Sequence, residues 1–361
     1  MESEQYSALI GTGGIGSGIF FALEGDHTLG RNESRAAMLS TARDFCKLHI
    51  ICHYVAVLLR SDSADSATFQ TITVGRVGED ETGREMLELM RRTGMDTALV
   101  RKTPGAATLF SVCFQYPDSA GGNITTARSA SSRVSPADIR EAEPLFRKYS
   151  GRGLALAAPE VPLESRLELL RLAAEYGFRR FFAFNSAEIA DPLALECLRN
   201  TDCLALNRDE AESLVKRDFS AARSGDFLAA VQEKLEALNP DLQVMLTIGA
   251  LGAYGYDKGT WEYTPCALVN PISTAGAGDA ALGALIAGTA RGLPFILKDR
   301  AKRHRLAEAP LESALDLAAL VASFSVLSPD TINLETSPTA LREHAGKLGL
   351  TFSEAIEKIL R

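Results

Sequence analysis

Cysteine is scarce in this sequence, with six residues among 361, and neither sign of charge dominates. Six scattered cysteines exclude a disulfide-rich scaffold. A formal net charge of −8 excludes the strongly basic surface that is typical of nucleic-acid-binding proteins. Apolar runs are short, and the run from Leu48 to Leu59 falls below the ~20 residues that a membrane-spanning helix needs. The N-terminal MESEQYSALI has neither a basic leader nor an apolar signal segment, so we expect a cytoplasmic protein with reduced thiols and no membrane or nucleic-acid partner.

Hydrophobic residues make up 46% of the chain and charged residues 23%, as in ordinary globular proteins with a substantial core. Short β-branched runs alternate with helical patterns through most of the sequence. The segment Thr71 to Gly78, for example, resembles a buried strand, and Glu81 to Gly94 follows with helical spacing of its apolar residues. This alternation predicts an α/β fold in one domain spanning residues 1–361, with a central, mostly parallel sheet flanked by helices.

Two segments predict a small β lid outside the main sheet. Residues 106–126 alternate apolar and polar side chains around a turn, which is typical of an antiparallel hairpin. Residues 19–31 contribute the other part of the predicted lid. In contrast, the basic stretch from Leu297 to Arg305 predicts a solvated loop or helix face.

The strongest chemical signal is STAGAGDAALGALIAG, Ser273 to Gly288. Gly276 and Gly278 allow backbone N–H groups to approach a ligand, and the start of the following helix favours a phosphate. Asp279 stands where a common phosphate-binding loop carries lysine, and a negatively charged carboxylate beside a phosphate is unfavourable unless it has a function. Accepting the proton of an attacking hydroxyl is such a function. Without other motifs, the segment also fits close helix–sheet packing, with Asp279 as a helix-terminus charge.

This segment resembles the C-terminal signature of the ribokinase-like carbohydrate kinases, also called phosphofructokinase B type sugar kinases. Three further motifs follow the family's order from about Thr71 onward. They are the strand and turn with Gly75, Gly78 and Asp80, the Asn-x-x-Glu motif at Asn207 and Glu210, and the Thr-x-Gly-x-x-Gly segment at Thr247, Gly249 and Gly252. The hairpin before residue 126 is similar to the family's lid strands.

The resemblance implies ATP-dependent phosphorylation of a hydroxyl on a sugar or sugar-like molecule. It makes Asp279 the general base and places the backbone of Gly276, Ala277 and Gly278 in an anion hole. It also implies that Thr247, Gly249, Gly252 and Thr274 contact ATP, and that Asn207 and Glu210 orient Mg²⁺, Glu210 through water. On their own, Asn207 and Glu210 are also a pattern that caps a helix, and Gly249 and Gly252 are also consistent with simple turns.

The sequence departs from the family at two places. Ser273 replaces an aspartate that commonly helps to hold a monovalent cation, which leaves potassium activation open. No acid follows the first strand before Glu24, so we consider Asp26, Arg31 and Asn32 as substrate contacts. An arginine there would suit a carboxylate or phosphate on the substrate. The choice among sugar, sugar acid, phosphosugar and nucleoside stays open, as does a homodimer through paired lids.

Three alternatives compete with this interpretation. Gly11 to Gly16 matches the dinucleotide fingerprint of nicotinamide-dependent oxidoreductases, but the residues after it resemble a strand where that site needs a helix. Cys46, His49, Cys52 and His53 suggest zinc, yet they alternate with apolar residues and fit a core better. The third alternative is a catalytically silent protein of the same fold that senses a sugar or nucleotide. Ser273 and the missing acid after the first strand, which both depart from the family's pattern, make this alternative plausible.

Overall fold

The computed structural model describes residues 6–60, 69–117 and 121–361. Residues 1–5 of the N-terminal segment, residues 61–68 and part of the predicted hairpin turn at residues 118–120 lie outside them. Within the described residues the strands are β1 (Ala8–Thr12), β2 (Gly16–Leu23), β3 (Ala37–Phe45), β4 (Gln70–Gly78), β5 (Met95–Thr103), β6 (Leu109–Gln115), β7 (Gly121–Thr125), β8 (Gly153–Ala157), β9 (Arg179–Ala183), β10 (Cys203–Asn207), β11 (Gln243–Thr247), β12 (Ala253–Asp257) and β13 (Thr260–Thr264).

The helices alternate with the strands. In the same residues they are α1 (Lys47–Leu59), α2 (Glu81–Arg92), α3 (Pro136–Arg140), α4 (Glu143–Lys148), α5 (Leu163–Glu175), α6 (Pro192–Arg199), α7 (Arg208–Val215), α8 (Ser224–Glu236), α9 (Ala277–Ala290), α10 (Ala314–Ser325), α11 (Pro338–Lys347) and α12 (Glu354–Ile359).

The larger sheet has nine strands in the order β13-β12-β11-β10-β9-β8-β1-β4-β5. The pairs from β11 through β5 are parallel, and only β12 and β13 join antiparallel at one edge. The central strands β1 and β8 are buried at every residue, as expected for a sheet covered on both faces. The predicted mostly parallel sheet flanked by helices is confirmed.

The smaller sheet has four strands in the order β3-β2-β6-β7. The hairpin expected within residues 106–126 is present as antiparallel β6 and β7. The boundaries of the first lid segment differ from the expected 19–31, because β2 starts at Gly16 and ends at Leu23. The smaller sheet also contains β3, which the sequence did not predict. After β2 the chain passes through an irregular segment and returns as β3 to pair antiparallel with β2.

Hydrophobic side chains fill both faces of the larger sheet. One cluster includes residues of α1, α9 and α10, and the other includes residues of α5, α6 and α8. Cys46, His49, Cys52 and His53 are all buried at or within α1, which confirms their interpretation as core residues. All six cysteines are free thiols. Within the described ranges, no helix combines the length and the apolar character that crossing a bilayer requires.

The basic segment from Leu297 to Arg305 is an irregular loop with most of its residues exposed, as expected, but Arg300 and Arg303 turn inward. Arg303 is only 3% exposed, and its guanidinium pairs with Asp316, which is fully buried at the start of α10. Arg300 donates to the other carboxylate oxygen of Asp316 at 2.6 Å. Buried charges require such partners, and the sequence pattern does not mark Asp316, 13 positions after Arg303, as that partner.

The dinucleotide-like motif from Gly11 to Gly16 runs from the end of β1 to the first residue of β2. The segment after Gly16 is a strand of the smaller sheet, so the helix whose first turn would bind a pyrophosphate does not follow these glycines. This geometry argues against the oxidoreductase alternative.

Candidate active site

Helix α9 begins at the glycine-rich turn that the sequence singled out. Gly276 precedes the helix with φ 79°, a left-handed conformation that glycine adopts without strain. A Cβ at Gly276 would lie 2.3 Å from the carbonyl oxygen of Thr331, so the turn also needs glycine for space. The amides of Gly278 and Asp279 lie in the first turn, where an α-helix provides no acceptor of its own. The turn therefore presents amide donors at the positive end of the helix dipole.

Asp279 forms an ion pair with Lys47, which lies 232 positions earlier in the chain. Nζ of Lys47 lies 3.3 Å from both carboxylate oxygens of Asp279. Lys47 is the first residue of α1, and α1 packs beside α9 through Gly283, where a Cβ would lie 2.6 Å from the carbonyl oxygen of Ile51. Close packing of the two helices therefore brings their first turns, and this pair, together.

A cavity of about 300 Å³ opens at this point between the two sheets. The smaller sheet supplies part of its wall through residues of β2, β3, β6 and β7. The described residues that line it are Phe20, Asp44, Phe45, Lys47, Ile50, Cys113, Phe114, Gln115, Gly121, Gly122, Asn123, Glu160, Ser273, Thr274, Ala275, Gly276, Asp279 and Thr331. The predicted base and its turn thus share one cavity with several polar groups from the lid strands.

Glu160 lies in the same wall, just beyond the carboxyl end of β8. Its Oε2 accepts a hydrogen bond from the backbone N–H of Lys47 at 3.0 Å, which places a carboxylate at the N-terminus of α1. Burial raises the pKa of Glu160 to about 7, although the nearby ammonium of Lys47 opposes this shift. Lys47 in turn has its pKa raised, first by Asp279 and also by Glu160, while burial opposes the shift. The lysine is therefore a firmly protonated cation between two acids.

Asp44 is the acid that the smaller sheet contributes. It lies near the end of β3, and its Oδ2 accepts hydrogen bonds from the Ser111 hydroxyl and, at 3.4 Å, from the Cys113 thiol, both on β6. Burial raises the pKa of Asp44, and the bond from Ser111 opposes the rise. Thr331 binds to the end of β3, because its hydroxyl accepts from the Phe45 N–H at 2.8 Å, and its carbonyl oxygen lies against Gly276 in the turn before α9.

Asn207 and Glu210 form a capping box at the start of α7. Oδ1 of Asn207 accepts from the Glu210 N–H, and Oε2 of Glu210 accepts from the Asn207 N–H, both at 2.8 Å. Glu210 is also close enough to the ion pair to be influenced by it. Burial raises its pKa to about 7, Lys47 opposes the rise and Asp279 adds to it. Glu210 therefore combines a capping role with a position near the Lys47–Asp279 ion pair.

The other residues predicted to contact ATP lie at or after the carboxyl end of β11 and just before α9. Thr247 ends β11, and its hydroxyl lies 3.8 Å from the position that a Cβ on Gly278 would occupy. Gly249 and Gly252 both have positive φ, at 54° and 109°, in the turn that follows β11. Thr274 lines the cavity, so Thr247 and Thr274 lie near the start of α9, whereas Gly249 and Gly252 lie in the turn after β11.

The structure does not bring Asp26, Arg31 and Asn32 to the cavity. They are exposed in the irregular segment between β2 and β3 and are not among the residues that line the cavity. Sequence reasoning missed Asp44, Lys47, Glu160 and Thr331, which do line it. Glu160 had a usable signal, because ligand sites of parallel sheets lie beyond the carboxyl ends of the strands. No sequence signal marked Lys47 as a site residue, because it lies at the start of an apolar run.

Comparison with known proteins identifies the family. The sequence profile of the pfkB family carbohydrate kinases matches residues 52–339. Ribokinase from Schizosaccharomyces pombe is 29% identical over 248 residues, which cover 68% of this chain and 73% of that protein. Deoxyribokinase from Salmonella typhi is 23% identical over 264 residues, covering 73% and 77%.

Solved structures agree in fold. Ribokinase from Giardia lamblia superposes with a TM-score of 0.74 at 17% identity, covering 93% of this chain and 99% of that one. A Burkholderia thailandensis nucleoside kinase in complex with inosine gives a TM-score of 0.69 at 15% identity, covering 95% and 99%. The fold is ribokinase-like, and this chain belongs to the pfkB family of carbohydrate kinases.

Proposed function

We propose that this kinase transfers the γ-phosphoryl group of ATP to a hydroxyl of a sugar or nucleoside, with Asp279 as the general base. The observation that carries the proposal is the shared cavity, where Asp279, the turn at Gly276 and the polar residues of the lid strands meet. Relatives named ribokinase and deoxyribokinase support a sugar acceptor, and the nucleoside kinase whose structure is in complex with inosine supports a nucleoside.

In this mechanism the acceptor hydroxyl hydrogen-bonds to Asp279, which takes its proton as the oxygen attacks phosphorus. The amides of Gly278 and Asp279 stabilise charge on the transferred group. The Ala277 N–H, expected to share this role, donates instead to the Thr274 carbonyl oxygen at 3.3 Å. ATP would contact Thr247, Gly249, Gly252 and Thr274. The acidic Glu210 suits Mg²⁺ bound through water, and that ion would neutralise charge on the ATP phosphates.

The acceptor would lie against the lid side of the cavity. Asp44 and Asn123 supply hydrogen-bonding groups from the lid strands, and Glu160 supplies another from the end of β8. Carboxylates and amides suit the hydroxyls of a sugar. We therefore place the substrate contacts at these residues ahead of Asp26, Arg31 and Asn32. Lid strands that cover the acceptor would also exclude water, a competing acceptor for the phosphoryl group.

The test is ADP production from Mg·ATP across a panel of sugars, sugar acids, phosphosugars and nucleosides, with wild type and Asp279→Asn in parallel. We expect the variant to lower turnover by about 10²–10⁴-fold while nucleotide affinity stays nearly constant. Asp226→Asn is the matched control, because Asp226 is also a first-turn aspartate, in α8, and is exposed.

Two outcomes would contradict the proposal. Equal loss of turnover and nucleotide affinity in Asp279→Asn would assign Asp279 a structural role. Nucleotide or sugar binding without turnover of any acceptor by wild type would favour the catalytically silent sensor.

A further inference from the structure

A second cavity lies at the edge of the larger sheet. It has a volume of about 250 Å³ and is bordered by the start of α8, by the edge strand β13 with its neighbour β12, and by residues 297–302 of the loop after α9. The described residues that line it and those that line the cavity at Asp279 have no member in common. The second cavity is therefore separate from the proposed acceptor site.

Three aromatic side chains form one wall of the second cavity. Tyr254 lies on β12, and Trp261 and Tyr263 lie on β13. Tyr254 is paired directly with Tyr263, and residues two positions apart on a strand share a face, so the three rings lie on the same face of the sheet. The ring centroid of Tyr254 is 5.1 Å from that of Tyr263 and 6.5 Å from that of Trp261. All three residues are only partly buried, which leaves ring surface for a flat ligand to stack on.

The loop adds three cationic side chains to the lining, those of Lys298, Arg300 and Lys302. Arg300 is neutralised by Asp316 at 2.6 Å, and Lys298 pairs with Asp257 at 2.9 Å while its side chain stays 43% exposed. Lys302 is exposed and forms no ion pair with another described residue. An ammonium has three donors, so Lys298 can bind a ligand and keep its contact with Asp257. The two lysines therefore offer positive charge to an anion.

The acid among the lining residues is held away from that anion. Glu262 is only 6% exposed, and its Oε2 accepts a hydrogen bond from the backbone N–H of Leu297 at 2.7 Å. Its Oε1 lies 3.5 Å from the guanidinium of Arg300. The charge of Glu262 is thus directed into the loop and is offset there.

We propose that the second cavity binds a nucleoside monophosphate, with the base on the aromatic wall and the phosphate at Lys298 and Lys302. Aromatic side chains stack on any nucleobase, because every base has a π-face. Lysine is a common phosphate ligand, and charge-assisted hydrogen bonds are about twice as strong as neutral ones. Ligand pockets usually measure about 300–1,000 Å³, so the smaller volume here favours one phosphate over three.

Tyr263 connects the second cavity to the proposed ATP site. Its hydroxyl donates a hydrogen bond to the carbonyl oxygen of Leu251. Leu251 lies in the turn from Gly249 to Gly252, which is proposed to contact ATP. A base stacked on Tyr263 would restrict that side chain and hold the turn, so the second ligand should raise the affinity for ATP. This coupling, unlike the binding itself, rests on the proposed function.

Trp261 is the single tryptophan of the chain, so tryptophan fluorescence reports directly on the second cavity. Titrations follow this signal with AMP, adenosine and ribose 5-phosphate. We expect saturable quenching by AMP and at least about tenfold weaker binding of the other two, since one lacks the phosphate and the other the base. Lys302→Glu should weaken AMP binding by at least about tenfold. Lys102→Glu is the control, because Lys102 is exposed on β5 at the opposite edge of the sheet.

Calorimetry tests the coupling with a non-hydrolysable ATP analogue and Mg²⁺, with and without AMP. In wild type we expect AMP to tighten binding of the analogue by about fivefold. Tyr263→Phe keeps the ring but lacks the hydroxyl that binds Leu251. This variant should still bind AMP, and its affinity for the analogue should not respond to AMP.

The outcomes separate this inference from the proposed function. No response of Trp261 to AMP, equal binding of AMP and adenosine, or unchanged AMP binding in Lys302→Glu overturns the second site, even if wild type is an active kinase. Weaker binding of the analogue with AMP, or a gain that persists in Tyr263→Phe, overturns the coupling. Failure of wild type to phosphorylate any acceptor overturns the proposed function, while the fluorescence titrations still decide the second site. The comparison of ligands needs wild type alone, so it decides the site even where a variant folds poorly.

Discussion

The backbone N–H of Lys47 donates a hydrogen bond to Oε2 of Glu160 at 3.0 Å, across 113 positions of sequence. The bond joins the start of α1 to the carboxyl end of β8, and Glu160 adopts a positive φ of 75° there. A non-glycine residue in this conformation is uncommon, and such strain persists where the surroundings hold it. The bond positions the lysine backbone, while packing of α1 on α9 positions its ammonium beside Asp279.

The buried carboxyl group of Glu210 should make stability depend on pH. Its pKa is about 7 in the folded protein, against an ordinary value of 4.5. Between these values the folded protein binds a proton that the unfolded chain has lost, so the free energy of unfolding falls as pH rises from about 4.5 to about 7. Glu210→Gln keeps the capping oxygen but cannot ionise. We expect it to flatten this decline by about 1–3 kcal/mol.

The measurement is urea unfolding of wild type and Glu210→Gln at several pH values across that interval. Glu233→Gln is the control, because Glu233 is exposed on α8 and its removal should leave the pH dependence as it is in wild type. Identical pH dependence in wild type and Glu210→Gln would show that Glu210 titrates at its ordinary value.

Gly276 should tolerate alanine less well than another glycine of the same backbone conformation. Gly259 has φ 82° and open space around its Cβ position, whereas a Cβ at Gly276 would lie 2.3 Å from the Thr331 carbonyl oxygen. Left-handed strain alone costs about 1–2 kcal/mol, which is the loss we expect for Gly259→Ala. Gly276→Ala adds a backbone clash of about 1–3 kcal/mol and displaces the first turn of α9, so kcat should fall as well. Urea unfolding and ADP production measure both effects, and equal losses in the two variants would refute the steric argument.

Gly283 should control the distance between Lys47 and Asp279. A Cβ there would lie 2.6 Å from the Ile51 carbonyl oxygen and 2.8 Å from Cβ of Tyr54, so Gly283→Ala should force α1 and α9 apart. We expect a loss of about 1–3 kcal/mol in the free energy of unfolding and a reduced kcat. Gly346→Ala is the helical control, since nothing lies within 4 Å of its Cβ position, and it should gain up to about 0.5–1 kcal/mol. A Gly283→Ala variant as stable and active as wild type would show that the two helices can separate freely.

Local patterns were sufficient for the architecture and for the turn at Asp279. Short β-branched runs and helical spacing predicted the parallel sheet, because both signals depend only on neighbouring residues. The glycines before Asp279 predicted a ligand-binding turn for the same reason, since the turn and the helix that follows it are contiguous in the chain. The inward-facing Arg303 within the exposed basic stretch escaped this reasoning, because its buried partner Asp316 lies in the following helix.

The rest of the site depends on contacts between distant segments. Lys47 reaches Asp279 across 232 positions, and Asp44 reaches Ser111 across 67. No periodicity in the sequence marks these pairs, since each residue lies in a segment with an adequate structural explanation of its own. The sequence by itself determined the fold class and the turn that carries the proposed base. Only the tertiary structure decided which charges surround that base, because helix packing and sheet order, rather than proximity in the chain, bring those side chains together.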